Sequence, residues 1–194
     1  RICGSGFETI IAGAEQISLG KADITLCGGT EKMTLSPTAA FGNRSGYVLG
    51  KPGFVDMLWE ALNDTAAVPM GCTAENVAKQ HNITKSDANE FAKTSVEKAL
   101  AAVQSGFFMD EIIPINTTTF EAEGLKPRKV YLPKGVSDFT TDEHIRASSL
   151  EEMAKLPSVF MKDGVQTAAN SSGIVDGAAM VIVAGKNSIQ SKNL

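Results

Sequence analysis

The chain has 194 residues, enough to bury a sizeable core in one large domain or two small ones. Its net charge of −4, with 18 Lys and Arg against 22 Asp and Glu, carries no basic field that would favour nucleic acid. No apolar run approaches the roughly 20 residues needed to span a bilayer, and three cysteines and two histidines offer neither a CxxC pair nor zinc-ligand spacing.

The chain opens on Arg1-Ile2-Cys3-Gly4-Ser5-Gly6, and Phe7, Ile10, Ile11, Ala14 and Ile17 then recur at helical spacing until Gly20. Cys3 is thus predicted just before a helix N-terminus, where unpaired amides and the macrodipole favour thiolate over thiol. Gly4 and Gly6 leave room for a sharp turn or a substrate carbonyl. An isolated cysteine is more often a small buried apolar residue; the flanking motif and those that follow favour a nucleophile. The opening lacks a signal-peptide pattern and an initiating methionine, and a nucleophile three residues in reads as a partially represented chain.

Ala22, Ile24 and Leu26 alternate with Asp23, Thr25 and Cys27, which predicts a short strand ending at Gly28-Gly29. Residues 34–69, rich in Gly, Pro, Ser and Asn, predict an insertion of little regular structure with one helical turn around 54–62. Thr73 is a candidate cap for a helix through Lys79. Thr84 and Asp87 predict a capped longer helix with Ala88, Phe91, Ala92, Val96, Ala99, Leu100 and Val103 on one face, ending at Gly106. A strand is predicted at 112–115, then a polar excursion over 117–144, then a short helix capped by Ser149 and Glu152 and closed by Pro157. The run 178–184 predicts a strand covered on both faces and sharing a sheet with the strand at 24–27.

Four stretches in order carry a family resemblance: Arg1-Ile2-Cys3-Gly4-Ser5-Gly6, Gly28-Gly29-Thr30-Glu31-Lys32-Met33, Met70-Gly71-Cys72-Thr73-Ala74-Glu75-Asn76 and Asn170-Ser171-Ser172-Gly173-Ile174-Val175-Asp176-Gly177-Ala178-Ala179. They resemble the cysteine segment, the glycine turn, the "MGxTAEN" stretch and the "NxSGxxDGAA" signature of thiolases. The resemblance implies an α/β, layered thiolase-like fold, here a partial N-terminal half with a long inserted loop domain. Residues 1–33 fall to the core, 34–172 to the loop domain with its coenzyme A contacts, and 173–194 to the return strand and the start of a linker. It implies acyl transfer in which Cys3 takes the acyl group as a thioester, nearly isoenergetic with the coenzyme A thioester it replaces. Coenzyme A is then a substrate, with acyl-CoA, and no cofactor or metal is implied. Carried over position by position, Arg146 falls at the nucleotide end, Phe160, Ala168 and Ser172 line pantetheine and adenine, and Met70 lies close to the thioester.

Pro69-Met70, where acetoacetyl-type members have a histidine before the methionine, and the Leu58-Trp59 context look closer to degradative, mitochondrial-type 3-ketoacyl-CoA thiolases. The alternatives are an acetyl-CoA acetyltransferase and a non-catalytic coenzyme A-binding or interaction protein. The resemblance implies a homodimer or homotetramer in a mitochondrial setting, with peroxisomal and cytosolic forms as alternatives, and neither nucleic acid nor membrane as partner. The family's "NEAF", "GHP" and "CxGGG" motifs do not occur, and neither His81, His144, Cys27 nor Cys72 stands in their context. The 194 residues alone are therefore expected to show no thiolase turnover.

Overall fold

A computed structural model describes residues 1–50, 53–63 and 66–192. Residues 51, 52, 64 and 65 of the expected insertion and 193–194 of the expected linker lie outside the described residues. In chain order the elements are α1 (Ser5–Ser18), β1 (Ile24–Lys32), β2 (Thr38–Ala40), β3 (Phe54–Asp56), α2 (Met57–Ala61), α3 (Met70–His81), α4 (Lys85–Gln104), β4 (Ile115–Asn116), β5 (Thr118–Phe120), β6 (Arg128–Val130), β7 (Asp138–Phe139), α5 (Leu150–Lys155), β8 (Asp176–Ala184) and α6 (Lys186–Lys192). They fall into two compact units: residues 1–67 with 174–194, and residues 68–173. Residues 34–67 therefore cluster with the first unit.

In the first unit β1 and β8 pair antiparallel in continuous register from Ile24↔Ala184 to Lys32↔Asp176, so the two end strands do share a sheet. β1 does not stop at Gly28-Gly29. Gly28, at φ +152°, passes so close to the Ala179 carbonyl that a Cβ has no room, and the glycine serves strand approach rather than termination. Beyond the ladder Asp176 accepts from the Thr34 amide at 3.0 Å and the Thr34 hydroxyl at 2.6 Å.

α1 ends as predicted, with Gly20 at φ +68° donating to the Ile17 carbonyl. Its packing face differs from the apolar stripe. Gly13 is the buried position, pressed on Cys27 and Thr25 of β1, with Ile17 half-buried beside it, while Phe7 is 76% exposed. A residue without a side chain lets the helix axis approach the strand, and the larger stripe is left open. The expected two-sided burial of 178–184 is likewise absent. Ile182 is 70% exposed, and Leu26, Met180 and Val181 are also open, because among the described residues the sheet has two strands and α1 packs on it at the Thr25 and Cys27 side. The turn predicted at 54–62 resolves into β3, paired with β2, and α2, capped by Asp56 accepting from the Leu58 amide. α6 was not anticipated; the Gly185 carbonyl starts it by accepting from the Ser188 and Ile189 amides.

In the second unit both capping boxes form. Thr84 and Asp87 exchange hydroxyl, carboxylate and amide bonds ahead of α4, and Ser149 and Glu152 do the same ahead of α5. The Lys85 ammonium donates to the Ala154 and Leu156 carbonyls, tying the start of α4 to the end of α5, where Met153 is buried. Of the face predicted for α4, Ala88, Ala92, Val96, Ala99 and Leu100 are half-buried, whereas Phe91 and Val103 are exposed and Asn89 is the buried residue. Thr73 is not a cap. α3 begins three residues earlier at Met70, because Pro69 fixes the entry and its carbonyl accepts from Cys72 and Thr73. The strand predicted at 112–115 contracts to Ile115–Asn116: the Ile112 amide is taken by a turn to Phe108, and Pro114 has no N–H. β4 pairs with β7 and β5 with β6, so the excursion is made of short hairpins. No described helix is long and apolar enough to cross a membrane.

Candidate active site

Cys3 lies in a single 3-10 turn, Ile2–Gly4, whose closing bond runs from the Gly4 amide to the Arg1 carbonyl at 3.0 Å. α1 follows at once, so the thiol stands directly ahead of a fourteen-residue helix, and it is exposed. A Cβ at Gly6 would meet nothing within 4 Å, which leaves the approach to the turn clear. Ile2 adopts φ +49°, a left-handed conformation costly for a β-branched residue, so strain is concentrated next to the thiol. Arg1 spans the turn to α1: its Nε lies 3.1 Å from Glu8 Oε2 and its Nη2 3.4 Å from Glu8 Oε1. Glu8, a residue with no function evident in the sequence, is thereby the partner of Arg1. Cys27 is buried against Gly13, with Thr25 Oγ1 at 3.5 Å from its sulfur. Its role is packing.

The other five candidate residues, Met70, Arg146, Phe160, Ala168 and Ser172, belong to the second unit. Met70 opens α3 and is exposed. Beside it, the Phe160 ring lies flat on Gly71 with no space for a Cβ, and the Cys72 thiol points to the Phe160 carbonyl at 3.9 Å. The first turn of α3 thus seats the Phe160 ring on the residue that follows Met70. From Phe160 the chain folds back on itself: the Val159 amide donates to the Gln166 carbonyl at 2.9 Å and the Ser158 hydroxyl to the Gly164 carbonyl at 2.6 Å.

Ala168 follows Thr167, which is fully buried and whose amide donates to Asn170 Oδ1 at 2.7 Å. Asn170 in turn donates to Asn89 Oδ1 of α4 and to the Val165 carbonyl, both at 2.9 Å. Ala168 and Ser172 are exposed on this fixed segment. The segment ends at Gly173, which faces the His144 imidazole closely enough that a Cβ would sit 2.5 Å from its ring atoms. That contact brings the 143–146 loop beside Ser172; within it Arg146 Nε donates to the Glu143 carbonyl at 3.1 Å, leaving the exposed guanidinium tethered at one nitrogen. His81 closes α3 and is exposed. Sequence reasoning missed Glu75, Gly71, Gly164 and the asparagine pair. The four-residue spacing of Gly71 and Glu75 puts them on one helix face, but nothing local marks the distant loop that this face holds.

A model of the thiolase N-terminal domain matches residues 1–187. The mitochondrial 3-ketoacyl-CoA thiolase of Mus musculus is 39% identical over all of this chain and 46% of its own length. Beta-ketothiolase BktB of Cupriavidus necator is 40% identical over 94% of this chain and 44% of its own length. The crystal structure of human mitochondrial 3-ketoacyl-CoA thiolase in complex with CoA shares the fold at a TM-score of 0.82 and 36% identity, over 98% of this chain and 45% of that one. The chain spans about half the length of the curated relatives it matches. The α/β, thiolase-like fold expected from the four motifs is present, and the chain belongs to the thiolase family, to whose N-terminal domain it corresponds.

Proposed function

We propose that this chain supplies the nucleophile and carrier contacts of a degradative 3-ketoacyl-CoA thiolase. The observation that carries the reading is Cys3, exposed in a tight turn at the start of α1. The Cys3 thiolate attacks the 3-keto carbon; the bond between carbons 2 and 3 breaks, acetyl-CoA departs once its enolate is protonated, and the acyl group remains on sulfur. The thiol of coenzyme A then attacks this thioester, loses its proton, and leaves as the shortened acyl-CoA while the Cys3 thiolate is restored.

In this reading Met70 lies close to the thioester, Phe160, Ala168 and Ser172 line the pantetheine and adenine, and the free guanidinium nitrogens of Arg146 bind the nucleotide end. Coenzyme A is a substrate rather than a resident cofactor. The setting is mitochondrial, in line with the name of the mouse relative, and the complete protein is a homodimer or homotetramer acting on acyl-CoA, with no nucleic-acid or membrane partner. The second reading, an acetyl-CoA acetyltransferase, draws on the Pseudomonas aeruginosa relative of that name at 39% identity.

Incubation with acetyl-CoA, followed by peptide mass mapping, tests the chemistry. Acetylation at Cys3 that disappears in Cys3→Ala is expected. Binding without modification, or modification confined to Cys27 or Cys72, would reject it in favour of a non-catalytic binder. Acetoacetyl-CoA cleavage by the 194-residue chain is expected to be absent, because no residue here stands in the context of the family's activating histidine and second cysteine.

A further inference from the structure

Glu75 takes no part in the chemistry above, yet it is a charged side chain only 5% exposed. Both carboxylate oxygens are engaged by consecutive backbone amides: Oε2 accepts from Val165 and Oε1 from Gln166, each at 2.8 Å. Gly164 lies flush against the same carboxylate, with no space for a Cβ. One helical turn earlier, Gly71 seats the Phe160 ring. A single face of α3 therefore holds one loop at two points, an aromatic ring at Gly71 and two amides at Glu75.

The loop so held runs from Ser158 to Ala168 and turns at Asp163, which adopts φ +59°. A buried carboxylate without donors, or two buried amides without an acceptor, is strongly unfavourable, so the loop and Glu75 leave water together. Neither the ring of Phe160 nor Ala168 contacts Glu75 through a hydrogen bond; Glu75 acts on them by fixing the backbone between them.

We propose that Glu75 is a positioning residue for coenzyme A, setting the 158–168 loop in the conformation in which Phe160 and Ala168 receive the pantetheine arm. This role rests on the carrier reading given above.

The test is calorimetric titration of coenzyme A into the 194-residue chain and its variants. Glu75→Gln keeps the shape but replaces one acceptor by an NH₂ that faces an N–H. Gly164→Ala disturbs the same contact from the loop side and leaves α3 untouched. Each is expected to weaken coenzyme A by about tenfold, and the double variant by no more than the worse single, since both act through one contact. In Glu75→Gln the Val165 and Gln166 amides lose hydrogen-exchange protection.

Met153→Ala, a core truncation in α5, is expected to lower the thermal midpoint while leaving coenzyme A affinity within about twofold. Unchanged affinity in folded Glu75→Gln and Gly164→Ala would overturn the role of Glu75 alone. Equal weakening by Met153→Ala at a matched midpoint would overturn it too, by assigning the loss to general stability. Absence of coenzyme A binding to the unsubstituted chain, with Val165 and Gln166 still protected, would overturn the carrier reading and this role with it.

Discussion

Gly13 is where the helix behind Cys3 meets its strand, and Gly13→Ala distinguishes a packing constraint from a helix propensity. On an open helix face, alanine in place of glycine stabilises by about 1 kcal/mol. Here the added Cβ would stand 2.5 Å from Cys27 Sγ and 2.6 Å from Thr25 Oγ1, against an ordinary contact of 3.4–4 Å. Both atoms belong to β1, which is held in register by β8, so α1 must lift by roughly 1 Å. Overpacking of this kind costs about 1–3 kcal/mol, which cancels or exceeds the propensity gain and leaves a net loss of up to about 2 kcal/mol. Urea denaturation followed by circular dichroism, with the slope checked for constancy, reads it. Cys27→Ala in the same chain removes the closer atom, and the double variant should lose less than the two singles combined. A gain of about 1 kcal/mol in Gly13→Ala would refute the seat of α1 on β1.

Two further outcomes follow from local chemistry. The Asp87 carboxyl is held below its ordinary value by the Thr84 hydroxyl and then the Thr84 amide, that of Glu152 by the Ser149 amide and hydroxyl, and that of Asp176 by the Thr34 hydroxyl and amide. Because the folded values are depressed, the unfolded chain binds protons more readily; this stability is present above about pH 4 and is lost as pH falls through the folded values. Thr34→Ala, Thr84→Ala and Ser149→Ala together should flatten the fall of the thermal midpoint below about pH 4, and an unchanged acid slope would refute the assignment. Asn82 ends α3 at φ +55°, so Asn82→Gly is expected to keep or raise the midpoint and Asn82→Val to cost about 1–2 kcal/mol.

Features set by neighbours in the chain were legible in the sequence. The Thr84–Asp87 and Ser149–Glu152 boxes are contacts three residues apart, and both form. The period of α1 was equally plain, but periodicity marks a stripe and not the surface that meets it, so Gly13 rather than Phe7 makes the contact. Gly28-Gly29 reads as a stop because glycine is poor in strands, whereas the space it frees is used by the Ala179 carbonyl of the partner strand. Thr73 is a good cap by type and lost its place to the fixed backbone of Pro69. In the candidate site, Cys3 declares itself through its flanking glycines. Glu75 does not: on a helix of polar composition its burial depends on amides 90 and 91 positions away, and no local pattern announces a loop that distant.

The pairing of β1 with β8 also imposes a schedule on biosynthesis. Thr30 emerges from the ribosome 147 residues ahead of the Gly177 carbonyl it will bond. At 5–20 residues per second that is a delay of roughly seven to thirty seconds. Throughout that interval β1 carries Leu26 and a row of amides that still lack their β8 partners, while all of 68–173, a continuous stretch, can fold. Until its closing strand has been made, the edge of β1 that β8 will cover is open to pairing with other chains.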